Sequence, residues 1–94
     1  MALTKIDDRG VTYPLDLLDN EKIRFGTGND LQIYHNNNEN YVDCTNSNPL
    51  FIQSDLTYLM SEDGNEHYIK ATKDGAVELY YDNVKTFATT TNGA

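Results

Sequence analysis

The sequence predicts an all-β chain of short antiparallel strands and hairpins, repeat-containing. Three observations lead there. From Glu21 onward the chain breaks into short apolar and aromatic runs separated by Gly, Asn and Asp clusters, at the roughly 8–12-residue spacing of an all-β fold. No stretch places apolar residues at helical spacing. Asp63-Gly64 and Asp74-Gly75 sit between such runs, and Asp-Gly is among the strongest short-range hairpin signals because both positions tolerate the left-handed backbone region.

The predicted strands follow in order. Lys22-Ile23-Arg24-Phe25 alternates strictly, with Ile23 and Phe25 on one face and the two cations on the other. Gly26-Thr27-Gly28-Asn29-Asp30 then offers two glycines free to take positive φ. Leu31 to His35 and Asn40 to Asp43 flank Asn36-Asn37-Asn38, residues that tolerate the left-handed region and close a hairpin. Pro49 to Gln53 and Thr57 to Met60 carry apolar residues on both faces, the pattern of strands covered on two sides by sheet or by another subunit. His67 to Lys70, Ala76 to Tyr81 and Val84 to Ala88 complete a set of about eight strands, with Asp82-Asn83 as the last tight turn.

Residues 1–20 read as an arm, and residues 21–94 as the β-hairpin module. The arm is polar from Lys5 to Gly10, and Tyr13-Pro14 forces an extended backbone before Leu15-Asp16-Leu17-Leu18. Such an arm is either a frayed terminus or a docking segment, and Leu15, Leu17 and Leu18 supply an apolar surface for docking.

Ninety-four residues make one domain, which buries only about 60–65% of what its unfolded chain exposes. A partner subunit therefore helps it. Hydrophobic residues at 38%, with seven Tyr and three Phe, are enough for a thin core. A net charge of -8 and the lack of any Lys/Arg run repel phosphate backbones and anionic surfaces, so nucleic acid is not an expected partner. No apolar run reaches membrane-spanning length and no charged-then-apolar leader opens the chain, so a soluble product made in the cytoplasm, without membrane insertion, is expected. The single Cys44 has no partner for an internal disulfide and reads as a semi-buried strand residue.

Laying Leu31 to Asn37 over Val77 to Asn83 gives a shift of 77 minus 31, or 46 residues. In the same register Tyr41 meets Phe87, Val42 meets Ala88, and Thr45-Asn46 meets Thr91-Asn92. The match runs through a strand, its turn and the return strand, and reads as a duplicated hairpin. Repeated hairpins suit a shaft or prism in which each unit covers its apolar face with the next unit or the neighbouring chain.

Two segments carry a resemblance: Gly28-Asn29-Asp30-Leu31-Gln32-Ile33-Tyr34-His35 with the following Asn40-Tyr41-Val42, and Asp74-Gly75-Ala76-Val77-Glu78-Leu79-Tyr80-Tyr81-Asp82-Asn83-Val84-Lys85-Thr86-Phe87. They resemble recurring modules of tail-fibre and related virion structural proteins from bacteriophages of marine bacteria, notably cyanophages. The first turn departs from the pattern, with Asn36-Asn37-Asn38 where Asp-Gly is usual. The resemblance implies an intertwined or prism-like homotrimer, a fibrous or knob-like part of the virion that is a tail fibre or a capsid decoration (cement) protein, with the amino-terminal arm attaching to other virion proteins. Host attachment through a surface glycan is the adhesin alternative.

No catalytic, metal or cofactor site emerges from the residues. His35 and His67 fall in no metal-ligand spacing, and Ser61 to Glu66 lacks the alternating acidic positions and closing Glu of a calcium loop. Asp7-Asp8 and Glu62-Asp63 are sequence neighbours in polar loops and make poor acid–base pairs. The expectation is therefore a protein that is not an enzyme. Ile33, Leu50, Ile52, Leu59 and Leu79, with the three arm leucines, are the expected subunit-interface residues. Tyrosine suits both interfaces and sugar stacking, and Tyr34, Tyr80 and Tyr81 are the expected surface-recognition residues if exposed.

Overall fold

The computed structural model describes residues 14–94. They form two antiparallel sheets, and no helix occurs among them. The chain divides between Leu50 and Phe51 into two compact units.

The first unit is a three-stranded meander of β1 (Lys22–Phe25), β2 (Leu31–His35) and β3 (Asn40–Cys44), in the order β1-β2-β3. Pairing sets Ile23 opposite Ile33 and Ile33 opposite Val42, with Phe25, Leu31 and Cys44 forming the next row. Cross-strand partners share a face, so these six residues make one apolar face. The other face carries Lys22, Tyr34 and Tyr41 in one row and Arg24, Gln32 and Asp43 in the next.

The second unit has four strands, β4 (Leu56–Met60), β5 (His67–Thr72), β6 (Val77–Tyr81) and β7 (Val84–Ala88), again in sequence order. Leu59, Ile69, Leu79 and Phe87 line up across all four as an apolar row, beside Thr57, Ala71 and Val77. Bulges interrupt the ladder between Leu59 and Met60 and between Leu79 and Tyr80.

Each expected turn joins the strands it was read to join, although the positive-φ residue is not always the expected one. In the first hairpin Gly26 (φ 89°) and Asn29 (φ 57°) reverse the chain. A Cβ at Gly26 would run into the Asp30 carboxylate, so glycine is required there for both space and conformation. The Asn36 turn works through its side chain, whose Oδ1 accepts the N–H groups of Asn38 (2.8 Å) and Glu39 (2.6 Å). Asp74 itself takes φ 57°, while Asp82 (φ 49°) and Asn83 (φ 62°) supply the two positive values of a type I′ turn.

The described residues form seven strands, and the expected strand at Pro49 to Gln53 joins no ladder. Proline brings no N–H for a partner strand, and the stretch instead carries the boundary between the units. Phe51 and Ile52 are 74% and 75% exposed there. The two-faced apolar character of Thr57 to Met60 also has a different outcome: β4 is an edge strand, and its Leu59 remains exposed. Indeed no described side chain is buried. Among the described residues, each sheet has one apolar face whose side chains are half-buried or exposed.

The 46-residue offset recurs in the pairing of the outgoing strands: Ile23 faces Ile33 as Ile69 faces Leu79, and Arg24 faces Gln32 as Lys70 faces Glu78. The return strands fall out of step. The turn before β3 has four residues (36–39) and the one before β7 has two (82–83), and the bulge at Leu79/Tyr80 restores only part of the difference. Opposite Leu79 stands Phe87, where Val42 stands opposite Ile33, so Tyr41 and Phe87 are not structural counterparts.

The Asn83 side chain also accepts the His67 backbone N–H at 3.0 Å, joining the last turn to the start of β5. Asn83→Ala is expected to lower unfolding stability by about 1–2 kcal/mol through the lost bond and the strained φ. Asn83→Gly, which keeps the φ, should cost less. Denaturant midpoints of the two variants check this.

Candidate functional site

The polar faces of the two sheets hold the arrangements with chemical character. In the second unit β4, β5 and β6 place Tyr58, His67 and Tyr80 in a row, with ring centroids 5.0 Å and 5.4 Å apart. By simple alternation His67 would share a face with Ile69. The bulge at Leu59/Met60 breaks that alternation next to it, and the ring meets the two tyrosine rings at tilted angles of 58° and 30°.

Charge surrounds the row. The Tyr80 hydroxyl donates to the Glu78 carboxylate at 2.8 Å, and Lys85 Nζ lies 3.4 Å from the other carboxylate oxygen. Lys70 Nζ stands 5.8 Å from the Tyr58 ring, within range of a cation–π attraction. The Tyr80 hydrogen bond, followed by Lys85, holds the Glu78 carboxyl below the usual glutamate range. The same bond pushes the Tyr80 phenol up, since removing its proton would put two negative charges together.

The first unit repeats the theme with fewer members. Tyr34 and Tyr41 stack at 4.8 Å with planes 20° apart, and Lys22 Nζ lies 4.4 Å from the Tyr34 ring centre. Desolvation, reinforced by Asp43, Tyr41 and Glu39, raises the Tyr34 phenol. Tyr41 donates to Glu39 at 2.9 Å. His35 hydrogen-bonds Asn40 through Nδ1 at 2.7 Å and lies 3.9 Å from Asp19, contacts that tie β2 to β3 and to the residues before β1.

Of the expected recognition residues, Tyr34 and Tyr80 lie on these polar faces, half-buried by their neighbours. Tyr81 follows Tyr80 in the same strand and so points from the opposite face, where it is 78% exposed. Tyr80 and Tyr81 are therefore not presented together. Among the expected interface residues, Leu59 and Leu79 share one row across Ile69, while Ile33 centres the apolar face of the first unit. Leu50 and Ile52 lie in the stretch between strands, and Leu15, Leu17 and Leu18 are exposed before β1.

His67 and Asn83 are the residues that sequence reasoning passed over. The position of a bulge, which turns His67 to the tyrosines, has no clear sequence signature, whereas Asn83 stood in a recognised turn and lacked only a known acceptor role.

The remaining polar groups are engaged locally. Asp63 accepts from the Ser61 hydroxyl (2.7 Å) and the Asn65 N–H (3.0 Å), and the first of these bonds lowers its carboxyl. These oxygens are occupied in shaping the turn. A shallow cavity of about 340 Å³ is lined by Asp74, Gly75, Ala76 and Thr89 to Thr91. One of its hydroxyls, on Thr89, accepts the Val77 N–H. Among the described residues no group of three His, Cys, Asp or Glu side chains could hold a metal ion. Cys44 is a half-buried free thiol.

No protein family, curated protein or solved structure matches the chain.

Because Glu78 is depressed in the folded chain, its contribution to stability is present above the ordinary glutamate value of about 4.3 and is lost as pH falls through the lower folded value. Tyr80→Phe removes the first cause of that depression. Its expected result is an upward shift of the Glu78 carboxyl titration followed by NMR, with the part due to Lys85 retained.

Proposed function

We propose that this chain is a structural component of a phage virion, a tail-fibre or fibre-like module that completes its fold by assembling with two further copies of itself. The observation that carries the reading is the apolar row Leu59, Ile69, Leu79 and Phe87, exposed at every position but the half-buried Ile69, with its exposed counterpart Ile23, Ile33 and Val42. A sheet that is hydrophobic on one face buries that face against another element in a stable domain. Ile33 and Leu79 are each 40% exposed, so covering them adds on the order of 1 kcal/mol per side chain. The resemblance of Gly28 to His35 and Asp74 to Phe87 to tail-fibre modules supports the virion setting, and the shared 46-residue offset of the outgoing hairpins supports a duplicated origin.

In this reading the protein is not an enzyme and takes no cofactor. It is made in the host cytoplasm and resides in the particle, bound to other virion proteins through residues before β1. The polar aromatic faces supply a surface for host glycans. The row of Tyr58, His67 and Tyr80, whose ring centroids lie 5.0 Å and 5.4 Å apart, is the platform favoured for this, because Tyr80 and Tyr81 point from opposite faces of their strand.

Immunogold labelling of intact particles tests the setting: label on the tail supports a fibre, label on the shell assigns the decoration role instead, and unlabelled particles contradict both. For assembly, native mass spectrometry is expected to show three chains together. Leu79→Asp places a charge in the centre of the apolar row and is expected to shift the population to monomers; a wild-type chain that is a folded monomer at micromolar concentration contradicts the proposal.

A further inference from the structure

Charge in this chain is sorted by element. Residues 14–94 hold thirteen carboxylate side chains (fifteen less Asp7 and Asp8) and five Lys or Arg side chains (seven less Lys5 and Arg9). All of these carboxylates but Asp43 and Glu78 lie in turns and connections, whereas four of the five cations lie in strands: Lys22 and Arg24 in β1, Lys70 in β5 and Lys85 in β7. The strands are therefore net cationic in a chain of net charge -8. Turn chemistry accounts for the aspartates, because Asp hydrogen-bonds nearby backbone in turns. It does not account for the lysines, which strands disfavour.

Lys22 and Lys85 stand on edge strands, where a lysine also guards against stray pairing. Lys70 has no such task, because β5 is an interior strand. In register it stands between Tyr58 of β4 and Glu78 of β6. The two Glu78 oxygens are engaged elsewhere, Oε1 by the Tyr80 hydroxyl at 2.8 Å and Oε2 by Lys85 Nζ at 3.4 Å. Among the described residues no carboxylate lies within salt-bridge distance of Lys70. Its ammonium stands instead 5.8 Å from the centre of the Tyr58 ring, at one end of the row of Tyr58, His67 and Tyr80.

Taking the polar faces as glycan surfaces, we propose that this one binds an acidic glycan, its sugar rings along Tyr58, His67 and Tyr80 and its carboxylate or sulfate against Lys70. Aromatic rings supply apolar contact together with a polar edge, and the lysine ammonium is a compact charge with three donors for an anion. A neutral sugar would leave that charge unanswered. The first unit combines the same parts, with Lys22 Nζ 4.4 Å from the centre of the Tyr34 ring and that ring stacked on Tyr41. At physiological salt an exposed charge acts over about 8 Å, so a ligand on the face is governed by the lysines beside the rings rather than by carboxylates at the far ends of the hairpins.

The full chain applied to an array of neutral, uronate-bearing and sulfated oligosaccharides tests the assignment. Acidic members are expected to bind at least about tenfold more tightly than neutral ones, the worth of one charge-assisted hydrogen bond, and the acidic class preferred tells carboxylate from sulfate. Lys70→Gln is expected to abolish the preference and Lys70→Arg to keep it, while Lys73→Gln, in the turn after β5, leaves it unchanged. Equal loss in Lys70→Gln and Lys73→Gln would reduce the effect to net charge and overturn the site. Salt supplies a readout on the unmodified chain: binding of acidic members weakens as ionic strength rises from about 0.1 to 1 M, and binding indifferent to salt contradicts the role of Lys70. Equal binding of neutral and acidic members overturns the acidic preference but leaves the glycan reading standing. Binding to none of the three classes overturns both.

Discussion

Everything in this molecule depends on a sheet that has two different faces and only one layer. Alternation collects Ile23, Ile33 and Val42 onto one face in the first unit, and alternation adjusted by two bulges does the same for Leu59, Ile69, Leu79 and Phe87 in the second. Nothing among the described residues is buried. Hairpin hydrogen bonds satisfy the backbone but supply little net stability, and hydrophobic burial is the dominant favourable contribution to folding. The apolar faces therefore set the requirement for a further layer, and each proposal for the assembly answers it.

The opposite faces show how the same strands carry a second kind of information. Interleaving Tyr58, Lys70, Glu78 and Tyr80 with the apolar residues puts ring stacking and charge on one side without disturbing the row on the other. Because Glu78 is fixed by both the Tyr80 hydroxyl and Lys85, the rings sit in a defined geometry. Such a face can serve recognition while its reverse serves assembly.

Most of this architecture was legible in the chain. The alternation in Lys22 to Phe25 and the Gly, Asn and Asp punctuation carried the strands and all five turns, because turn chemistry is local. What failed depended on partners. Pro49 to Gln53 has strand-like composition, yet a strand needs a ladder and these residues pair with nothing described. The two bulges shifted His67 toward the tyrosines and moved Phe87, rather than Ala88, opposite Leu79; a one-residue slip of this kind leaves hydrophobicity patterns almost unchanged. Tyr80 and Tyr81 both have the chemistry of recognition residues, although adjacency in a strand separates side chains onto opposite faces.

The account makes the apolar faces the seat of assembly, so folding and association must be linked. The most direct measurement is the thermal unfolding midpoint as a function of chain concentration. An assembly that covers these faces predicts a midpoint that rises with concentration, because mass action favours the associated state. A cooperative transition whose midpoint stays constant from dilute to concentrated solution would contradict it, since each chain would then have to cover its apolar faces alone.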